Sequence, residues 1–133
     1  MVDKVTPFLM FEGQAEAALN LYLNLFPGAE LKRLDRYGKG EPGKEGQVSR
    51  ALVSIAGQEL MAFDSPVHHA FGFTPSVSMF VDCADEAEIE ALFAGLSDGG
   101  EVRMPLDNYG FSLRFGWVDD RFGVSWQLNL PAA

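Results

Sequence analysis

The chain has 133 residues, of which 47% are hydrophobic, and this length predicts a single domain with a core of its own. Its only cysteine, Cys83, excludes an internal disulfide and a multi-cysteine zinc site, and favours the reducing cytoplasm. The formal charge of −9 repels phosphate backbones, so we expect no nucleic-acid partner. The sequence shows neither a signal-peptide pattern nor an apolar run long enough to cross a bilayer, so we expect no membrane partner.

The first half of the chain predicts a strand, a helix and three further strands. The apolar run over 5–11 is typical of a buried strand, and AEAALNLYLNLF predicts a helix that a Pro-Gly pair ends. A second strand is predicted over 30–37, and GKGEPGKEG reads as a long hairpin loop. The segment QVSRALVSIAGQELMAFD predicts two strands with a turn at Ala56 and Gly57. The helix stripe that we expect to face the core is Ala15, Ala18, Leu19, Tyr22 and Phe26.

The second half predicts the same order of elements after a loop that carries His68 and His69. PSVSMFVDC begins it as a strand, and DEAEIEALFAGLSDGG follows as a helix. Three more strands are predicted over about 101–105, 112–118 and 124–130. In this helix we expect Ala87, Leu92, Phe93 and Leu96 to face inward.

The shared order of elements indicates an internal repeat, with modules over about 1–66 and 73–133. Aligning the halves on their helices pairs Thr6 with Ser76, and aligning their last strands pairs Met61 with Gln127. The predicted fold class is α+β, with two βαβββ modules that form curved mixed sheets, each carrying one helix on its outer face. Two such modules would enclose a groove, and grooves of this kind hold small molecules.

Three segments carry a family resemblance: TPFLMFEGQAEAALNLY, RYGKGEPGKEGQV and YGFSLRFGWVDDRFGVSWQL. Over nearly the whole chain they resemble the PhnB-like branch of the glyoxalase, bleomycin-resistance and extradiol-dioxygenase (vicinal oxygen chelate) superfamily. The resemblance implies paired βαβββ modules, usually in a homodimer, with the site inside the curved sheets. Members are often labelled 3-demethylubiquinone-9 3-methyltransferase-like. The sequence gives that label no support, because it lacks the Gly-rich strand-to-helix turn and the length of an ordinary methyltransferase nucleotide fold.

The resemblance also implies where a metal ion would be bound. Metal-dependent members of the superfamily use four ligands, typically His or Gln from the first strand of each module and Glu from the last. The segment DRFGVSWQ matches the last-strand pattern, and Gln127 stands where the carboxylate would be. The other three positions are Thr6, Met61 and Ser76, and this set of donors suits Zn²⁺, Ni²⁺ or Fe²⁺ poorly. We therefore expect the metal centre to be lost or much weakened, and no other cofactor.

Strand alternation predicts which side chains line the groove with these four, because residues two apart share a face. The lining combines apolar walls with hydroxyls and amides, which suits a neutral or aromatic small molecule of unknown identity. The alternative is that some of the polar groups bond to one another or to water. The predicted lining is Thr6, Phe8, Met10, Met61, Phe63, Ser76, Ser78, Ser125 and Gln127, together with Asn129.

Other candidate residues have simpler explanations. Adjacent histidines on an extended segment point in opposite directions, so we expect His68 and His69 at a loop rim, although one could reach the groove as an acid or base. Cys83 is expected to be a packing residue, and GKGEPGKEG lacks the ending of a phosphate-binding loop. The aromatic residues of the final third are expected in the core or in an interface: Phe111, Phe115, Trp117, Phe122 and Trp126.

Two functions of different class stay open at this point. The first is a metal-independent module that binds or sequesters a small organic molecule. The second is a lyase, isomerase or dioxygenase that uses a metal ion or an acid/base residue outside the aligned positions. No catalytic residue is identified by either hypothesis.

Overall fold

The computed structural model describes residues 1–132 and confirms the α+β class with two βαβββ modules. The chain divides into two compact units, Met1–Ala70 and a second unit that begins at Phe71. We call them the first and second module. No helix among residues 1–132 is long and apolar enough to cross a membrane.

The first module is a four-stranded sheet with the strand order β1-β4-β3-β2. β1 runs parallel to β4, and the other neighbours are antiparallel. α1 packs on one face of this sheet, and all five residues of the predicted helix stripe are buried. The elements are β1 (Phe8–Phe11), α1 (Ala15–Leu25), β2 (Glu30–Arg36), β3 (Val48–Ile55) and β4 (Gln58–Asp64).

Asp64 joins several parts of the first module. This carboxylate is only 1% exposed, and its Oδ1 accepts hydrogen bonds from Gly13 N and Ala15 N at 2.8 and 3.0 Å. Its Oδ2 accepts a third bond from Val48 N at 3.0 Å. Because α1 begins at Ala15 and β3 begins at Val48, one side chain of β4 fixes the start of both elements.

The long loop of the first module lies between β2 and β3, as GKGEPGKEG predicts, and its ends are hydrogen-bonded to each other. Tyr37 N donates to Gln47 O, and Gly46 N donates to Tyr37 O, both at 2.9 Å. The Tyr37 hydroxyl also donates to the carbonyl of Asp64 at 2.9 Å. The β3–β4 turn is confirmed at Ala56 and Gly57, whose φ angles of 49° and 83° are those of a two-residue hairpin turn.

The second module repeats this arrangement, with the strand order β5-β8-β7-β6 and β5 parallel to β8. α2 begins after Asp85, whose side chain accepts a hydrogen bond from Glu88 N at 2.9 Å. Close packing of α2 on the sheet requires Gly116, because a Cβ there would lie 2.8 Å from the ring of Phe93. The elements are β5 (Met79–Asp82), α2 (Glu86–Ser97), β6 (Glu101–Asp107), β7 (Arg114–Asp119) and β8 (Ser125–Leu130).

The buried stripe of α2 differs from the predicted one. Ile89, Leu92 and Leu96 are buried, whereas Ala87 is exposed and Phe93 is partly exposed. The predictions for Leu92 and Leu96 are confirmed, and the prediction for Ala87 is wrong. The reason is helical geometry, because Ile89 lies three residues before Leu92 and shares its face, whereas Ala87 lies five residues before it and does not.

Two first strands begin later than the sequence predicts. β1 begins at Phe8, although the carbonyl of Pro7 still accepts a bond from Met61 N at 2.9 Å. Proline has no N–H to continue the ladder further back. β5 begins at Met79, because Val77 N bonds back to Thr74 O at 3.4 Å and the segment before the strand turns.

The turn before β8 is organised by Asp120. This buried carboxylate accepts hydrogen bonds from Phe122 N at 2.9 Å and Val124 N at 3.1 Å. Its other oxygen accepts a bond from Trp126 Nε1 at 3.0 Å. Trp126 is therefore a core residue, as predicted, and its position fixes the strand that also carries Gln127.

Candidate functional site

Three strands of the second module present polar and aromatic side chains on the face opposite α2. The buried residues Trp126 and Leu128 of β8 face the helix, so Gln127 and Asn129 face the other way. Cross-strand pairing arranges this face in rows. The first row is Phe115, Asn129 and Asp82, the second is Trp117, Gln127 and Phe80, and the third includes Asp119 and Ser125.

Gln127 lies in the middle of this face. Its neighbours in the sheet are Trp117 on β7 and Phe80 on β5, and it is partly exposed. Its Nε2 donates a hydrogen bond to Ser78 Oγ at 3.0 Å. This bond uses one of the two N–H groups of Nε2, so the second N–H and the carbonyl oxygen of Gln127 can each bond to another molecule.

Asn129 is the second amide of the face, and its orientation is fixed by chemistry. Its Nδ2 donates to Asp82 Oδ1 at 2.9 Å, and an ionised carboxylate can only accept, so the amide cannot be flipped. Its Oδ1 is buried and has no hydrogen-bond partner among the residues that the structure describes. A buried acceptor left in this state costs about 1–3 kcal/mol.

An ion pair between Arg103 and Asp119 lies at the third row of the face. Arg103 of β6 contacts Asp119 at 2.6 Å and lies over the Trp117 ring, 6.0 Å from its centroid. Burial raises the pKa of Asp119, but the hydrogen bond and charge of Arg103 act against it, and the net pKa is lowered. Trp117 Nε1 donates to Ser125 Oγ at 2.7 Å. Asp119 Oδ2 accepts from Arg103, whereas Asp119 Oδ1 is buried and has no hydrogen-bond partner among the described residues.

Aromatic rings surround the first row. Phe115 is buried and lies 6.3 Å from Phe80 and 5.1 Å from Phe111, measured between ring centroids. Tyr109 contacts Phe115 edge-on at 6.2 Å. Phe111 is 64% exposed and is not a core residue of this chain, so only the interface alternative of its prediction stays open, whereas Phe115 is in the core. Phe80 is 57% exposed and was missed by the sequence analysis.

The corresponding face of the first module is apolar along β1 and the adjacent part of β4. The rings of Phe8 and Phe63 stack with centroids 4.8 Å apart, and Met10 and Met61 lie on the same face of β1 and β4. Charged side chains lie on the same face, where Glu59 of β4 forms ion pairs with Lys4 and with Lys32 of β2. Arg50 of β3 also shares this face, because it lies two residues before Leu52, the partner of Met61. The two faces therefore differ in chemistry, since the amides are found in the second module alone.

The register corrects the predicted pairing of the repeats. β1 pairs Phe8 with Met61, and β5 pairs Phe80 with Gln127. If Met61 and Gln127 are equivalent, Phe8 corresponds to Phe80, and Thr6 corresponds to Ser78 rather than to Ser76. Ser76 lies before β5, is exposed and contacts Thr74 Oγ1 at 2.7 Å. The helix alignment itself holds, because it pairs the buried residues Leu19 and Tyr22 with the buried residues Ile89 and Leu92. The strands follow a different offset, so the connection between strand and helix differs in length between the modules.

The remaining predicted lining residues have clear positions. Thr6 is half-buried and precedes β1, and Ser78 precedes β5 and bonds to Gln127. Ser125 is on the predicted face but is buried under its bond to Trp117. In the first module, one face of the sheet carries Phe8, Met10, Met61 and Phe63. In the second module, the face opposite α2 carries Ser78, Ser125 and Gln127. Whether these residues bind a ligand stays a prediction.

The donors at the family's metal positions do not fit a divalent transition metal ion. Thr6 and Met61 supply a hydroxyl and a thioether, and Ser78 and Gln127 supply a hydroxyl and an amide that already bond to each other. Such ions are bound by imidazole, thiolate or carboxylate. Among residues 1–132, no group of three or more His, Cys, Asp or Glu side chains is placed to hold a metal ion.

The two histidines have different partners. His68 Nδ1 lies 2.7 Å from Glu12 Oε1, and this contact lowers the pKa of Glu12. His69 Nε2 lies 2.9 Å from Ser65 Oγ, and its backbone N–H donates to Glu12. Ser65 Oγ also donates to the carbonyl of Val67, so it acts as a loop brace rather than as an activated hydroxyl.

Cys83 follows β5 and is buried, as expected of a packing residue. Burial, together with the charge of nearby Glu88, raises the pKa of its thiol to about 11. The thiol is therefore protonated at neutral pH and is not an activated nucleophile.

Comparison with known proteins places this geometry in a class. FosX of Listeria monocytogenes, a genomically encoded fosfomycin resistance protein, is 12% identical with a TM-score of 0.66, over 99% of this chain and 95% of that one. At this identity the likeness shows the fold alone, which is glyoxalase-like.

Closer relatives define the family. The chain belongs to the family described as 3-demethylubiquinone-9 3-methyltransferase, which matches residues 3–129. A putative 3-demethylubiquinone-9 3-methyltransferase, PhnB protein, from Bacillus cereus is 49% identical, with a TM-score of 0.93 over 96% of this chain and 99% of that one. Protein YjdN of Escherichia coli is 26% identical over 142 residues, which cover 95% of this chain and 94% of YjdN.

Proposed function

We propose that the protein binds a small organic molecule on the sheet faces that the helices leave uncovered, and that it binds without a resident divalent metal ion. One observation carries the proposal. Phe8 and Phe80, at equivalent positions of the first strands, are 56% and 57% exposed. A protein of this size has enough core to cover such rings, so exposure at both equivalent positions is typical of a binding surface.

The name of the Bacillus cereus relative mentions methyl transfer, but the architecture of the sheets supports ligand binding instead. Both sheets are four-stranded and mixed. Ordinary methyltransferases bind their nucleotide cofactor on a doubly wound parallel sheet, at a Gly-rich turn between strand and helix. The faces described here instead offer amide oxygens and aromatic rings, which hold a ligand by hydrogen bonds and apolar contact.

Metal independence is tested on protein purified without a histidine tag. We expect elemental analysis to find no stoichiometric transition metal, and EDTA to leave the melting temperature unchanged, because no ion contributes binding energy to the fold. We also expect Gln127→Glu alone not to recruit metal, because Ser78 and Thr6 still supply only hydroxyls. A stoichiometric metal whose removal lowers the melting temperature would overturn this part of the proposal.

Ligand binding is tested by ligand-observed NMR with a panel of neutral aromatic and aliphatic fragments. We expect aromatic fragments to bind the wild-type protein and to bind Phe80→Ser at least several-fold more weakly. Val102→Ser is the matched control, since Val102 is also an exposed apolar residue but pairs with Val118, on the side of the sheet that α2 covers. No binding by any fragment, or equal losses in both variants, would contradict the proposal.

We further propose that the protein forms a homodimer in the cytoplasm. Each four-stranded sheet leaves the outer edges of its first strand and of β2 or β6 without a partner in its own sheet, and exposed edges favour association. The exposed side chains Phe111 and Leu113 add apolar surface. Light scattering at micromolar concentration should give twice the monomer mass of 14.6 kDa, and a monomer mass would refute the proposal.

A further inference from the structure

We propose that the ligand of the first module is an organic anion with a flat apolar body, such as an aromatic carboxylate, and that Arg50 binds its carboxylate group. The inference rests on the proposed function and adds the chemical class of the molecule bound. It is carried by a row of side chains that crosses the uncovered face of the sheet, which is Asp35, Arg50, Phe63 and Met10.

Arg50 lies on β3, an inner strand of the sheet. Continuing the antiparallel register of β3 and β4 places it beside Phe63, which pairs with Met10 of β1. On its other side, Arg50 pairs with Asp35 of β2. The guanidinium therefore stands beside an aromatic ring and a thioether on a face that α1 does not cover.

The guanidinium of Arg50 is free to bind another molecule. Arg50 is exposed, and it forms no ion pair with any residue over 1–132. Its neighbour Asp35 is held by Arg33, with Arg33 Nε 2.6 Å from Asp35 Oδ2. Two guanidinium groups thus share one carboxylate, and one positive charge is left without a counter-charge. A guanidinium binds a carboxylate through two parallel hydrogen bonds, so a planar anionic group suits it.

The charge balance of this face is opposite to that of the chain. The chain has a formal charge of −9, whereas within residues 1–132 the face carries four cationic side chains and three carboxylates. Cations on β2 are expected, because charged side chains protect an edge strand from pairing with other chains. That explanation does not extend to Arg50, which lies on an inner strand. The charged residues of the face are Lys4, Lys32, Arg33 and Arg50, with Glu30, Asp35 and Glu59.

The second module does not offer an equivalent site. On its corresponding face, Arg103 contacts Asp119 at 2.6 Å and Glu101 at 3.8 Å, so its charge is already balanced. Asp82 and Asp107 add two carboxylates in the row of Phe115. Because these carboxylates repel an anion, the preference for an anionic ligand should belong to the first module.

The flat apolar body follows from the neighbours of Arg50. The rings of Phe8 and Phe63 stack with centroids 4.8 Å apart, and Phe8 is 56% exposed. Met10 and Met61 lie on the same face. Aromatic rings pack well against other rings, and thioethers adapt to the shape that they contact. Neighbouring strands are about 5 Å apart, so a small aromatic acid is long enough to contact Arg50 and Phe63 together.

The test uses two planar probes of nearly the same shape, 2-naphthoate and 2-naphthamide, of which only the first is charged at pH 7. Binding is followed by NMR titration of the 15N-labelled protein at low ionic strength. The side-chain Nε–H signal of Arg50 and the backbone amide signals of Leu52 and Met61 report on the proposed site. We expect both probes to shift the amide signals, and 2-naphthoate to bind about three- to fivefold more tightly, as is typical of an exposed charge pair.

Variants separate the charge from the apolar contact. Arg50→Gln should remove the preference for 2-naphthoate while leaving the affinity for 2-naphthamide within about twofold. Lys39→Gln is its control, because Lys39 is an exposed cation in the loop after β2, and this variant should keep the full preference. Phe8→Ser should weaken both probes to a similar extent, whereas Val67→Ser, which replaces an exposed apolar residue outside the sheet, should weaken neither.

The outcomes distinguish this inference from the proposed function. Equal affinity for the two probes, tighter binding of the amide, or a preference that survives Arg50→Gln would overturn the inference and leave small-molecule binding intact. Shifts confined to the second module, or failure of 2-naphthoate to bind where other aromatic fragments do, would have the same meaning. Failure of both probes and of every aromatic fragment to bind would overturn the proposed function itself.

Discussion

Replacing Asp64 with Asn tests the buried carboxylate that organises the first module. The substitution changes one atom and one charge without changing the shape. In the better orientation, the amide oxygen keeps the bonds from Gly13 and Ala15, but the amide NH₂ then faces the N–H of Val48. The opposite orientation is worse, because it places two N–H groups against the NH₂.

The expected cost is the sum of two losses. The charge-assisted bond to Val48 contributes about 1.5–3 kcal/mol, and a buried N–H without an acceptor costs about 1–3 kcal/mol more. We therefore expect Asp64→Asn to lower the free energy of unfolding by about 3–5 kcal/mol. In urea, with a slope of about 1–3 kcal/mol per molar for a chain of this size, the midpoint should fall by roughly 2 M.

The assay is urea unfolding followed by far-UV circular dichroism and by tryptophan fluorescence. Both tryptophans, Trp117 and Trp126, lie in the second module, so fluorescence reports on that module, whereas dichroism reports on both. Asp3→Asn is the control, because Asp3 is exposed and should lose less than about 0.5 kcal/mol. A loss of less than about 1 kcal/mol for Asp64→Asn by circular dichroism would refute the reasoning, and fluorescence shows whether the second module is affected as well.

Three further outcomes are expected. Gly116→Ala places a Cβ 2.8 Å from an aromatic ring of α2 and should cost about 1–3 kcal/mol by thermal unfolding, whereas Gly72→Ala meets nothing and should cost less than about 0.5 kcal/mol. Native Cys83, buried and with its pKa raised, should react with Ellman's reagent at pH 8 far more slowly than in urea, and equal rates would contradict its placement. The pKa of Asp119 is lowered beside Arg103, so the stability that this carboxylate provides is complete above about pH 4 and is lost as the pH falls through the lower folded value. Asp119→Asn should therefore lower stability at pH 7, and its difference from wild type should shrink in urea unfolding below pH 4; a constant difference would count against the ion pair.

The order of elements was predictable because it depends on local pattern. The stripe of α1 was read correctly from apolar spacing, and the hairpin at Ala56 and Gly57 follows from backbone geometry that favours glycine. The stripe of α2 was harder to read, since alanines on several sides blur the pattern. The spacing from Ile89 through Leu92 to Leu96 was nevertheless present in the sequence, and it identifies the face that is buried.

The site was predictable in part, and the limit is register. Alternation correctly places Gln127 and Asn129 on the face of β8 that α2 does not cover. Which residues lie beside them depends on how strands pair across the sheet, and that is a long-range property with no local signal. Asp82 as the partner of Asn129, and Ser78 as the counterpart of Thr6, are therefore visible only in the folded module.

Because backbone hydrogen bonds close the loop over 38–46 at its base, the stability of the fold depends little on the length of that loop. Its two ends are held to each other by paired backbone bonds, and Tyr37 is also tied to the carbonyl of Asp64. Extra residues between Lys39 and Gly40 would leave these bonds in place and would add only the slowly growing entropy of a longer closed loop. Insertions and deletions at this position can therefore accumulate during evolution at little cost, and the same position can carry an inserted peptide epitope without rebuilding either sheet.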